Sequence, residues 1–219
     1  KSKTAVAEAL QCPTLLNNGF GGHRIEGIGD KHVPWIHNAR NTDMLIGVDD
    51  EITMRLLRLF NEPVGIEYLL KQGVDIQLIE QLNLLGISGI GNALSAIKFA
   101  KYYELTENDI VFTIFTDSFE MYGSRLEELN TERGKYAINN AIQDFEMISH
   151  VGTDNVQELT YVDKKRIHNL KYYTWIEQQG KQVEELNAQW YDPDYWTNIY
   201  SQTSKIDQLI ESFNKEVVS

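Results

Sequence analysis

Three short stretches of this chain hold residue types that could do chemistry. Residues 17–34 read NNGFGGHRIEGIGDKHVP, with five glycines and little apolar periodicity. Glycine accepts positive φ and lets bare backbone approach a ligand closely, and Gly27-Ile28-Gly29 lies in this stretch. The spacing begins as a dinucleotide fingerprint does, but His32 stands at its third glycine position and no strand–helix context surrounds it. A long surface loop is the plainer reading. Residues 86–91 read GISGIG and open a helical pattern. Ser88 suits an N-cap, its hydroxyl accepting a main-chain N–H; it equally suits a ligand at a helix N-terminus, which favours electron-rich groups. The lysine of a phosphate-binding loop is missing there. Asp117 and Ser118 end the strongest strand pattern, beyond which open α/β sheets bind ligands, or they simply start a helix over 118–129.

Other chemistries are poorly served. His32 and His37 with Asp30 make two loop histidines without a third strong ligand, a weak basis for a metal site. No GxSxG elbow exists to pair Ser88 with a histidine as a hydrolase. Of the 219 residues 42% are hydrophobic and 24% charged, the balance of a globular protein with a core of its own. Twenty basic against 32 acidic side chains give a net charge of −12, which repels nucleic-acid phosphates and anionic lipid alike. No apolar run reaches the roughly 18 residues of a membrane span. The single cysteine, Cys12, forms no intramolecular disulfide and fits the reducing cytoplasm. The chain opens on Lys1, Ser2 and Lys3 with neither initiator Met nor signal-like segment, as a fragment of a longer protein would.

The elements that must position these residues follow a strand–loop–helix rhythm. Residues 4–9, 43–48 and 110–115 read as strands, the last strongly β-branched and aromatic. Asp49, Asp50 and Glu51 supply the cap and first-turn acids of a helix that Pro63 ends and a second helix continues to about Gln72, with Gly73 at its C′ position. Such alternation predicts an α/β fold with a partial parallel sheet covered by helices. Residues 1–135 hold 13 of the 15 glycines, whereas 136–219 hold 12 of the 23 aromatics. The composition therefore predicts an α/β portion over 1–135 and a helical, acidic and aromatic extension over 136–219. Helices are expected there near 136–150, 163–179, 183–190 and 203–217. The tryptophans of the extension read as packing anchors rather than a base-stacking platform, because it carries thirteen acidic against seven basic side chains.

Taken in order, these segments resemble the C-terminal half of fold-type II pyridoxal-phosphate enzymes of the cysteine synthase and cystathionine β-synthase kind, in the tryptophan synthase β superfamily. HRIEGIG at 23–29 followed by Val33-Pro34 is similar to that family's HxIQGIG and later proline. DMLIGVDDE at 43–51 resembles its strand and acidic helix start, GIS at 86–88 its GISSGAA, and residues 111–122 its strand ending in Pro-Asp-Ser. This sequence departs from the pattern at Gly89, where the family has a second serine, and at Thr116, where it has proline.

The resemblance implies the rest. Ser88 would stand at the ring nitrogen of pyridoxal 5′-phosphate, the main chain of Gly27, Ile28 and Gly29 would border the cofactor and an amino-acid substrate, and Asp117 would lie nearby. A neutral hydroxyl at that nitrogen favours β-elimination or β-replacement on a serine-like amino acid. The family's Schiff-base lysine and phosphate loop lie upstream of the matched region, and Lys31, Lys71 and Lys98 do not sit in that motif. The chain is thus expected to hold no catalytic residue of its own, to be inactive alone, and to work with its N-terminal half in a homodimer. A threonine synthase or ammonia-lyase of the same superfamily, or a non-catalytic α/β assembly module, is the alternative.

Overall fold

Two of the three expected strands form. β1 (Ala5–Ala9) runs parallel to β2 (Met44–Val48), with Ala5 opposite Met44 and Ala9 opposite Val48. Every residue of β2 is buried, which is why its sequence is continuously apolar rather than alternating. Between the two strands comes a short helix, α1 (Thr14–Asn17). The buried Glu8 carboxylate holds its start, accepting from Leu15 N at 2.9 Å and Leu16 N at 2.7 Å.

The computed structural model describes residues 2–218. It divides into two units, Lys1–Lys31 with Thr42–Thr160 and His32–Asn41 with Tyr161–Ser219. In the first, the Asp49 carboxylate caps α2 (Asp50–Asn61), accepting from Glu51 N at 2.9 Å. Met54, Leu56, Leu57 and Leu59 of α2 are fully buried. Pro63 opens α3 (Pro63–Lys71), and Gly73 follows at φ +82°. A short α4 (Ile76–Ile79) leads to α5 (Ile87–Tyr102), which adds Ile87, Ile90 and Leu94 to the same core. α6 (Gly123–Arg133) and α7 (Ile138–Ser149) complete the helices of this unit.

The third strand is not where the residue types put it. Residues 110–115 form no strand, and Ile110 and Phe112 are 93% and 85% exposed. The position beside β2 is taken by β3 (Val156–Glu158), antiparallel, with Met44 opposite Glu158 and Ile46 opposite Val156. The sheet is therefore mixed rather than parallel, and the α/β class holds in its coarse form. Residues 110–113 instead line, with Ala5 and Ala7 of β1, a cavity beside the other edge of the sheet, on which no strand pairs among the described residues.

The compositional boundary at 135/136 also falls inside the first unit, whose second segment ends at Thr160. α7 belongs to that unit by its contacts. Its Asp144 carboxylate is 2% exposed and accepts from Arg55 Nε at 2.6 Å and Tyr136 OH at 2.8 Å, while Phe145 meets Tyr68 edge-on.

The second unit is built from α8 (Tyr161–Lys171), a π-helical run over Tyr172–Gln178, α9 (Val183–Tyr191), α10 (Tyr195–Tyr200) and α11 (Thr203–Val218), with His32–Asn41 threaded among them. Lys171 is wholly buried and donates its three protons to Trp35 O (2.8 Å), His37 O (2.6 Å) and Gln189 Oε1 (2.8 Å). Trp175 Nε1 donates to Val33 O at 2.8 Å and Trp196 Nε1 to Gln189 O at 2.9 Å, so both half-buried indoles are tied to the backbone of this unit. Among the described residues no helix is long and apolar enough to cross a membrane.

All four tryptophans lie in this unit, so their fluorescence reports its stability separately from the first. His168 is buried, donates Nε2–H to Leu186 O at 3.0 Å, and is pushed down to about 4 by burial and by the charges of Lys171 and Lys165. The unfolded chain protonates near 6.5 and the folded one near 4, so the stability is present above pH 6.5 and lost as the pH falls toward 4. The full loss is about 3 kcal/mol. His37, lowered to about 4 mainly by burial, acts in the same direction. Denaturant midpoints followed by tryptophan fluorescence should fall over that interval. His168→Gln, which keeps a donor for Leu186 O, should flatten the fall.

Candidate functional site

The stretch 17–34 is divided between the units. Gly27, Ile28 and Gly29 stay with the first, while His32, Val33 and Pro34 go to the second. Ile28 N donates to Ile25 O at 3.1 Å, closing a turn that Gly27 and Gly29 enter with φ +92° and +106°. These left-handed values favour glycine at both positions. Ile28 turns into the core, 9% exposed, and a Cβ at Gly91 would meet its Cδ1 at 3.3 Å.

Ser88 is not the cap of α5. Gly86 occupies that position in extended conformation, and Ser88 lies inside the first turn. Its hydroxyl is buried, 5% exposed for the residue, and donates to Glu26 O at 2.6 Å across 62 positions of sequence. A Cβ at Gly27 would stand 2.9 Å from Ser88 Oγ, so the bare backbone at Gly27 faces this hydroxyl directly.

Asp117 joins the same cluster from the third stretch. Its carbonyl accepts Gly86 N at 2.9 Å, and a side chain at Gly86 would collide with its carboxylate. A helix does start here, Ser118 standing at the N-cap of a 3-10 turn, Phe119–Tyr122, that runs into α6, while the Asp117 carboxylate accepts the hydroxyl of Tyr122. Burial and then the Asp117 charge push the Tyr122 phenol up to about 12, so the tyrosine stays protonated at neutral pH. Arg125 of α6 closes the outer side, its Nη2 lying 2.5 Å from Glu26 Oε1.

The five residues singled out by type, Gly27, Ile28, Gly29, Ser88 and Asp117, thus belong to one neighbourhood of the first unit. Gly86, Tyr122, Glu26 and Arg125 complete it. Gly86 and Glu26 belong to the motifs themselves and Tyr122 ends the 111–122 stretch, so membership of the motifs was the signal available for them. Arg125 had none, since a helical arginine is unremarkable by type.

Chemically, the neighbourhood offers a buried neutral hydroxyl, exposed peptide groups on a glycine turn, and a protonated phenol held by a carboxylate. Lys98 is engaged elsewhere, its Nζ donating to Asp154 O at 2.7 Å, and Lys71 pairs with Glu67 at 2.6 Å. His32 and His37 join no metal-binding group; among the described residues no cluster of three or more His, Cys, Asp or Glu side chains could hold an ion. Comparison with protein-family models, with curated proteins and with solved structures finds no match to this chain.

Proposed function

We propose that this chain supplies the ring-nitrogen side of a pyridoxal-phosphate site for β-elimination or β-replacement on a small, serine-like amino acid. One observation carries the reading: the Ser88 hydroxyl, the glycine turn at 27–29 and Asp117, drawn from three separate stretches, meet at the start of α5. The residues fit the group in chemical type. An unprotonated pyridine nitrogen accepts a hydrogen bond from a neutral hydroxyl, and Ser88 beside the bare backbone of Gly27 would offer one.

Pyridoxal phosphate supplies, when bound, an electron sink for breaking bonds at the amino-acid carbon atoms. Ser88, being neutral, would orient the ring nitrogen without fixing a proton on it, which suits rapid loss of a β-substituent. The peptide groups of Gly27 and Gly29 would line the face of the site, Ile28 anchoring the turn from below. Asp117 and Tyr122 would hold Gly86 and therefore the first turn of α5. The Schiff-base lysine is assigned to an upstream segment, together with the rest of a homodimeric cytoplasmic enzyme. The exposed, strand-forming residues 110–115 support such a companion, because their apolar side chains have no ladder of their own in this chain.

A non-catalytic α/β module is favoured by a different observation: the Ser88 proton is already donated to Glu26 O. Expression of the complete coding sequence separates the two. The enzyme reading expects bound cofactor visible by absorbance and an affinity that falls about tenfold in Ser88→Ala, the worth of one hydrogen bond to a buried ring nitrogen. Protein without cofactor absorbance, or Ser88→Ala binding as tightly as the parent, would leave the module reading standing.

A further inference from the structure

The second unit carries two apolar surfaces that no described residue covers. The first is α11. Ile206, Leu209, Ile210, Phe213 and Val217 recur at helical spacing on one face and are 50–66% exposed, and every described side chain of the helix faces solvent. The second is a groove of about 690 Å³ between α8, the π-helical run and α9, lined by Val162, Leu170, Tyr173 and Val183, with Lys165 and Arg166 among its polar lining.

We propose that α11 of one copy of this chain lies in the α8–α9 groove of a second copy, and that the exchange is reciprocal. Charge favours this occupant. Asp207 and Glu211, four residues apart, flank the apolar face of α11 on one side and Lys205 on the other, while Lys165, stacked over Trp190 and Tyr191, and Arg166 line a groove with no acidic side chain in it.

The link to α10 favours a second copy over the helix's own groove. Only Ser201 and Gln202 separate the two helices, and both are hydrogen-bonded in place: Ser201 N donates to Thr197 O at 2.9 Å, and Ile206 N to Gln202 O at 3.0 Å. With the joint so held, α11 contributes no residue to the lining of its own groove, and exchange between protomers supplies a helix to each. Reciprocal exchange closes under twofold symmetry and buries ten apolar side chains, on the order of the 1,000 Å² that a specific interface needs.

Sedimentation equilibrium of the chain at micromolar concentration tests this. A dimer is expected. Phe213→Glu on the helix and Val162→Glu in the groove should each weaken it by about thirtyfold or more, with unchanged circular dichroism. Lys165→Glu and Glu211→Lys should each weaken it by about fivefold, and together restore it, a rescue that misfolding cannot produce. A monomer at all concentrations would overturn the proposal. So would a dimer sensitive to Phe213→Glu but not to Val162→Glu, since the helices would then pair with each other. Loss of Phe213-dependent self-association in favour of binding to anionic lipid vesicles would equally sink it.

Discussion

Lys171→Met should lower the stability of the second unit by about 3 kcal/mol. Two opposed terms decide the sign. Burial costs the ammonium dearly and pushes it down to about 7, so removing the charge relieves that penalty. The substitution also strips donors from three buried oxygens at once, Trp35 O, His37 O and Gln189 Oε1. Each orphaned acceptor costs about 1–3 kcal/mol, and two of them are backbone groups that no second mutation removes. The acceptors outweigh the relief. Tryptophan fluorescence during thermal melting should show a drop on the order of 15 °C for a unit of this size, with the first unit unaffected. A second signature accompanies it: without the Lys171 charge, His168 and His37 rise toward their ordinary value, so the loss of stability between pH 6.5 and 4 becomes shallower. A variant as stable as the parent would mean that the buried ammonium is cost alone.

Gly27→Val should damage the first unit at the glycine turn. At φ +92° a β-branched residue is strained by about 1–3 kcal/mol, and its Cβ would press on Ser88 Oγ from 2.9 Å. Together the effects should cost about 3–4 kcal/mol, read by calorimetry or far-ultraviolet circular dichroism, because this unit contains no tryptophan. If the proposed cofactor site is real, Gly27→Val should abolish cofactor binding rather than reduce it tenfold as in Ser88→Ala. The double variant Gly27→Ala with Ser88→Gly separates the terms: it removes the collision but keeps the backbone strain, so it should recover only part of the loss. Full recovery would show that the positive φ carries no cost at this turn.

The helical skeleton was legible because its signals are local. Asp49 ahead of an apolar run, Pro63 at a first turn, Gly73 after a last one and the spacing of Ile206, Leu209 and Phe213 each act within a few residues of themselves. β2 was legible for a related reason, since five consecutive apolar residues between polar ends suit a buried strand. The chemistry-bearing types were legible too, as glycines in a turn, a serine at a helix start and an aspartate after a β-branched run.

What those residues bind was decided only in three dimensions. Ser88 suits a cap by every local criterion, yet its proton goes to Glu26 O, far away in sequence, because Gly27 leaves room for the approach. Asp117 suits a helix start, yet its carboxylate takes the Tyr122 hydroxyl. Residues 110–115 have better strand character than Val156–Glu158, but a ladder is a pairwise object, and the shorter segment holds the place beside β2. Composition put the boundary at 135/136, whereas Asp144, Tyr136 and Arg55 bind α7 into the first unit and Lys171 gathers residues 32–41 into the second. Residue type determined which groups were available and which stretches were helical. The tertiary structure chose their partners, because hydrogen-bond and ladder partners distant in sequence leave no periodic trace along the chain.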